Sequence, residues 1–236
     1  MKSITRKAEI KETLSYAIQA NAMDPAGLAE VLHARLLSSK VKFPLLEYCG
    51  EVLFHEIPPH LHLELCEKIS ALKTIGGDVI IALILRLQLA ENVAEIFAKA
   101  AHFISLSGTW HATDIIGERV FGWGLLHHFN SAFDSLNGLK YSKDKWVVRS
   151  IGPGCHNAVK NGLQKAKVEK LFVLLLSLAT AKEYHIKTGI GWAAKTIAKF
   201  HPEIVKAHDL ENENIGQWFR TKVRIGLERY QYAQGN

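Results

Sequence analysis

Gly76-Gly77-Asp78-Val79-Ile80-Ile81-Ala82-Leu83-Ile84-Leu85-Arg86 is the stretch whose reading decides the architecture. Its two glycines and acid read as a break, and the apolar run then ends at an arginine. The run is far shorter than the roughly 20 residues that a membrane span requires, so it reads as a helix buried in protein. Outward from it, apolar residues recur at helical spacing nearly everywhere, and strand-like alternation is scarce. Asp24-Pro25 reads as an N-cap with Pro at the first helical position, opening a helix over 26–37. Phe43-Pro44 opens another over 45–55, and Pro58-Pro59 separates it from a third over 60–72. Further helices are predicted over 79–89, 93–104, 110–127, 142–151, 155–163, 168–181, 189–200 and 213–230. Gly152-Pro153-Gly154 and Gly189-Ile190-Gly191 read as short breaks between helices.

About a dozen helices joined by short loops, many apolar on more than one face, imply an all-α protein built of stacked antiparallel pairs. The expectation is a HEAT-like α-solenoid, in which a pair occupies about 40 residues, so about five to six pairs fit the chain. A compact all-α bundle is the alternative. No composition shift or linker marks a boundary, so residues 1–236 are expected to form one domain.

A chain 48% hydrophobic and 22% charged is a folded protein, not a disordered one. Its N-terminus, Met1 to Lys7, has no apolar core of a signal peptide. Cys49, Cys66 and Cys155 are scattered and odd in number, which points to a reducing, cytoplasmic setting without a disulfide framework or thiolate metal site. Charge is uneven: residues 140–236 carry 17 Lys and Arg against 8 Asp and Glu, a net of +9, whereas the preceding residues carry 12 and 15, a net of −3. A basic C-terminal part fits a polyanion partner, with a solvated lysine surface as the plain alternative.

Chemistry concentrates in three segments. In Thr109-Trp110-His111-Ala112-Thr113-Asp114, Trp110 and Asp114 are four residues apart and share one helical face. Trp146-Val147-Val148-Arg149 places an aromatic and a cation three apart. Gly191-Trp192-Ala193-Ala194-Lys195 adds a third tryptophan. Each tryptophan sits near a predicted helix start, after Thr109, Ser142 or Gly191. Taken singly, each is more readily a core aromatic. Together they describe an aromatic, basic groove holding one acid.

These segments, in this order and spacing, resemble the AlkD family of bacterial DNA-alkylation repair glycosylases. The resemblance runs from about Lys42 to about Pro202 and is strongest over Thr109–Asp114 with Val120-Phe121-Gly122. It implies a HEAT-like fold whose concave face binds duplex DNA. It also implies excision of cationic bases, N3-alkyladenine and N7-alkylguanine, without flipping them into a pocket. By that match Asp114 is the catalytic carboxylate, Trp110 and Trp192 flank the sugar, and Arg149 holds the DNA backbone. Trp146, Lys145, Lys187, Lys195, Lys199, Lys222 and Arg224 are the expected DNA contacts. Val147-Val148 and Ala193-Ala194 stand where the family more often carries charged residues, which predicts different phosphate contacts. Gln217-Trp218-Phe219-Arg220 lies outside the resemblance.

Physical reasoning fits this chemistry. An alkylated purine is already cationic and leaves without a general acid, so a carboxylate need only stabilise the oxocarbenium-like sugar and orient water. Aromatic faces add cation–π stabilisation of about 0.5–2 kcal/mol each. Asp114 must then be ionised at neutral pH, which a nearby Arg149 would favour. The expected enzyme is a monofunctional DNA glycosylase with water as the nucleophile and no metal or organic cofactor. His55, His60, His62, His127 and His128 lack ligand spacing, and Cys155 beside His156 cannot face it on a helix. The expected partner is duplex DNA containing alkylated bases, and the expected state is a monomer away from membranes. The alternatives are a non-catalytic DNA-structure-binding protein of the same fold and, in a different class, a helical-repeat protein scaffold.

Overall fold

A computed structural model describes residues 3–211 and 214–233. They are almost wholly helical and fall into two compact units, Met1–Glu91 and Asn92–Asn236.

The first unit contains α1 (Lys7–Asn21), α2 (Pro25–Leu32), α3 (Phe43–Glu56), α4 (His62–Ala71) and α5 (Ile75–Gln88). Two short parallel strands, β1 (Ser3–Ile4) ahead of α1 and β2 (Lys40–Val41) ahead of α3, pair with each other. The Asp24 carboxylate accepts from Ala26 N at 3.1 Å, and Pro25 occupies the first turn, as the sequence predicts. Val79 to Leu85 are all buried, so the apolar run that sets the architecture is a core helix. The break expected at Gly76-Gly77 is absent. Thr74 caps α5 by accepting from Gly77 N at 3.1 Å. A Cβ on Gly77 would lie 2.8 Å from the Ile69 side chain, so glycine here serves close packing.

The second unit comprises α6 (Val93–Ser107), α7 (Trp110–Ile116), α8 (Trp123–His127), α9 (Phe129–Leu139), α10 (Lys145–Lys160), α11 (Lys165–Leu176), α12 (Tyr184–Phe200), α13 (Pro202–Lys206) and α14 (Gln217–Ala233). A π-helical segment, Gly117–Gly122, joins α7 to α8. The predicted start of the last helix, Glu213, lies outside the described residues. Gly108 ends α6 in the left-handed region at φ 61°, a conformation open to glycine at no steric cost.

Two expected breaks are instead helix interiors. Gly152-Pro153-Gly154 lies within α10 and Gly189-Ile190-Gly191 within α12. The helices touch there nearly backbone to backbone. A Cβ on Gly152 would lie 2.0 Å from Gly189 O, and one on Gly189 would lie 2.5 Å from Arg149 O. On its other side α10 packs against α7 and the π-helical segment, where a Cβ on Gly117 would meet Ser150 O at 2.9 Å. Pro153 has no N–H for the Arg149 carbonyl four residues earlier, which is the carbonyl facing Gly189. α14 closes on α12 in the same way, with the Gly226 Cβ position 2.3 Å from Lys195 O.

Gly152→Ala is therefore expected to destabilise the protein by roughly 2–3 kcal/mol, because overpacking a tight contact outweighs the gain in helix propensity. Gly138 in α9, with nothing within 4 Å of its Cβ position, is the control. Gly138→Ala should stabilise by about 0.5–1 kcal/mol. Denaturant unfolding of the two variants measures both signs.

Candidate active site

Thr109 caps α7, its hydroxyl accepting from Ala112 N at 3.4 Å and lying 3.0 Å from His111 Nδ1. The cap orients the first turn so that Trp110 and Asp114 both face one cleft, as their spacing predicts. The cleft has a volume of about 470 Å³, and Arg149, Trp192, Lys195 and Lys222 line it with them. Trp110 is 58% exposed at its edge, whereas Trp192 is half-buried.

Asp114 is held by Arg149. Arg149 Nη2 donates to Oδ1 at 2.8 Å and to Oδ2 at 2.9 Å, and Nε donates to Oδ1 at 3.2 Å. Nη1 donates to the His185 carbonyl at 3.3 Å. With its side chain only 6% exposed, Arg149 sits behind the acid rather than on the surface. A carboxylate accepting this fork of donors is in its ionised form. Burial nevertheless raises the Asp114 pKa above the usual aspartate value, and the charge and hydrogen bonds of Arg149, then the charge of His111, act against that rise.

The tryptophans are backed by histidines. Trp192 stacks on His156 with ring centroids 4.2 Å apart. His156 Nδ1 lies 2.7 Å from the Thr196 hydroxyl, which in turn donates to Trp192 O at 3.0 Å. Burial, followed by the charges of Lys160 and Lys195, pushes the His156 pKa down to about 4, so the ring is neutral at pH 7. Trp146 packs on His185 at 4.3 Å and does not line the cleft. Its helix is capped by Asp144, which accepts from Trp146 N at 2.8 Å, not by Ser142, which instead accepts from Asp144 N at 3.1 Å. Trp192, expected near a helix start, is in the third turn of α12, because Glu183 caps that helix by accepting from Ile186 N at 2.7 Å.

Of the basic residues singled out from the sequence, Lys195 and Lys222 line the cleft. Lys145 Nζ lies over the Trp146 ring at 5.1 Å and Lys199 Nζ over Phe200 at 5.2 Å, while Lys187 is half-buried outside the cleft. Arg224 pairs with Glu228 at 3.5 Å and lines a separate hollow with Gln217 and Arg220. Sequence reading passed over Tyr184, His185 and Thr188, which also line the cleft. Tyr184, Thr188 and Trp192 recur every fourth residue on α12, a signal visible once Glu183 is read as the cap.

Other polar groups have plainer roles. Cys155 is fully buried, and burial pushes its thiol pKa up to about 12, so it is no nucleophile. Among the described residues no group of three His, Cys, Asp or Glu could hold a metal, and no helix is long and apolar enough to cross a membrane.

A family model described as DNA alkylation repair enzyme matches residues 61–220, and the chain belongs to that family. Among solved structures it is similar to the Pseudomonas fluorescens alkylpurine DNA glycosylase AlkC bound to DNA containing an abasic site analog, with a TM-score of 0.62 and 16% identity. The match covers 98% of this chain and 64% of that one, so the chain spans less than two thirds of that protein's length. At this identity the likeness speaks for the fold, which is all-α and HEAT-like as the sequence predicts. No curated protein matches the chain.

Removing Arg149 would leave the Asp114 carboxylate half-buried without its cation. Arg149→Met is expected to lower stability by about 3 kcal/mol at neutral pH, measured by chemical denaturation. The loss should shrink at acid pH, where the orphaned Asp114 takes up a proton. An equal loss at every pH would show that packing, not charge, makes the contribution.

Proposed function

We propose that the protein is a DNA glycosylase that hydrolyses the N-glycosidic bond of cationic alkylated purines in duplex DNA. The observation that carries this reading is Asp114, forked on both oxygens by a buried arginine in a cleft that Trp110 and Trp192 also line. The positive charge of an N3-alkyladenine or N7-alkylguanine makes the base a leaving group that needs no proton donor. As the bond lengthens, charge develops on the sugar, and a preorganised carboxylate stabilises it. Water is the nucleophile, and the proton it sheds can pass to Asp114.

In this reading Arg149 keeps the acid ionised and aimed rather than gripping the DNA backbone itself. The exposed Trp110 ring and the His156-backed Trp192 ring form the walls against the sugar. Lys195 and Lys222 supply phosphate contacts in the cleft, and Lys145, Lys187, Lys199 and Arg224 extend the basic surface beyond it. The net charge of residues 140–236 supports a polyanion partner. The second reading, a DNA-binding protein without excision, uses the same basic surface but gives the Asp114–Arg149 pair only a structural role.

Base release from methylated duplex DNA separates the two. Asp114→Asn is expected to reduce release by roughly 100- to 1,000-fold while leaving DNA binding intact. Unchanged release in a folded Asp114→Asn protein would remove the carboxylate from the mechanism. No release by a wild-type protein that binds DNA would favour the non-catalytic reading. Because Asp114 must be ionised and burial raises its pKa, activity should fall on the acid side above the ordinary aspartate value of 3.8. A rate profile flat down to that value would contradict this.

A further inference from the structure

Tyr184 lines the cleft, yet base excision gives it no task. It opens α12 and, with Thr188 and Trp192, forms one stripe along that helix, every fourth residue facing the cleft that Asp114 and Trp110 also line. At 70% exposed it is the most open aromatic in that lining. Its backbone is held in place. The Glu183 carboxylate caps the turn by accepting from Ile186 N at 2.7 Å, and Arg149 Nη1 donates to the carbonyl of the next residue, His185, at 3.3 Å. The same guanidinium forks onto Asp114. Because the His185 carbonyl lies between Tyr184 and Trp192 along the helix, Arg149 ties the carboxylate to the stripe at a point between its two aromatic ends.

We propose that Tyr184 forms a subsite for a DNA phosphate flanking the alkylated nucleotide, its hydroxyl donating a hydrogen bond to a non-bridging oxygen on the same strand. This inference rests on the glycosylase reading, which puts the alkylated nucleotide's sugar at Asp114. Tyr184 and Trp192 are eight residues apart, about 12 Å along a helix. A strand of duplex DNA advances one nucleotide in about 3.4 Å of axis, so a strand lying along the stripe passes three to four nucleotides over that span. With the reacting sugar between the two ends, Tyr184 meets the backbone within about two nucleotides of it.

The surroundings leave this task to the phenol. Both cleft lysines serve the other end of the stripe: Lys195 follows Trp192 by three residues, and Lys222 lies against Gly191, its Cγ 2.8 Å from the Cβ position there. Thr188 commits its proton to the helix, its hydroxyl donating to Tyr184 O at 2.9 Å. The Tyr184 hydroxyl bonds to no described residue, so its proton is available to a ligand. The ring meets His185 edge-on at 5.3 Å, and His185 in turn packs on Trp146 at 4.3 Å, so the tyrosine is backed by an anchored aromatic pair. Neutral hydroxyls are ordinary phosphate donors that fix the register of a duplex. A tyrosine, with two side-chain torsions, loses little conformational entropy when it is fixed.

The test is the affinity of the full-length protein, by fluorescence anisotropy, for a duplex carrying one tetrahydrofuran abasic analogue. Tyr184→Phe keeps the ring and removes the hydroxyl. It is expected to raise Kd roughly tenfold, the loss of one hydrogen bond to a charged oxygen. Release of methylated bases at sub-saturating protein should fall by the same factor. A second series of duplexes carries a methylphosphonate, which lacks the anionic oxygen, at each of the two linkages on either side of the analogue. At one of these linkages the methylphosphonate should weaken wild-type binding by about the same tenfold and weaken Tyr184→Phe no further. An unchanged Kd in Tyr184→Phe, or methylphosphonate losses equal in both proteins at every linkage, overturns the proposal and leaves the glycosylase reading standing. A wild-type protein that releases no methylated base removes that reading, and the proposal with it.

Discussion

The close approach of α10 to its neighbours is the constraint on which the site depends. Gly152 and Gly189 let α10 and α12 meet almost backbone to backbone, and Gly117 lets the π-helical segment reach Ser150. Ordinary side chains would hold helices 8–10 Å apart. At that spacing Arg149 would not sit between Asp114 on one neighbour and the His185 carbonyl on the other. The ion pair is thus a product of glycine placement three residues away on each element: Gly117 follows Asp114 by three, and Gly152 follows Arg149 by three. The glycines contribute no chemistry themselves, yet they set the distances at which chemistry occurs.

That geometry also decides how the carboxylate behaves. A half-buried acid without a partner would be neutral over much of the acid range, because burial penalises charge. One with a fully solvated partner would be ionised but free to rotate. Arg149 reaches a third condition: its fork fixes both oxygens while its own side chain stays almost fully buried at the base of the cleft. The same logic governs the aromatic walls. His156, neutral at pH 7, supports Trp192 without adding a cation beneath the ring, as the proposed stabilisation of a cationic sugar by that ring requires.

Much of this was legible in the sequence. Helical periodicity gave the all-α class, and the i, i+4 spacing of Trp110 and Asp114 placed both in one cleft. The limits lay in glycine. Gly76-Gly77, Gly152-Pro153-Gly154 and Gly189-Ile190-Gly191 have the composition of breaks, and only the partner helix reveals them as contacts. Misplacing the start of α12 hid Tyr184 and Thr188, since the face they share with Trp192 begins before Gly189. An Arg149 near enough to favour the ionised Asp114 was expected; the structure adds the direct fork on the carboxylate, a contact between residues 35 apart that spacing alone does not define.

The substitutions after Trp146 and Trp192 take on a different meaning in three dimensions. Val147, Val148, Ala193 and Ala194 are all buried, so in this fold they pack between helices and do not vacate positions in the lining of the cleft. Small residues at Ala193 and Ala194 belong with the tight packing of α12, which is flanked by α10 and α14. The cations of the cleft come instead from Lys195 and, across the Gly191 contact, from Lys222 of α14. That last helix lies largely beyond the residues carrying the family resemblance, yet it completes the electrostatics of the cleft. Under the proposed function, phosphate contacts can therefore diverge through α14 while Asp114, Arg149 and the tryptophans stay in place, because the glycine contacts that dock α14 are separate from those that build the ion pair.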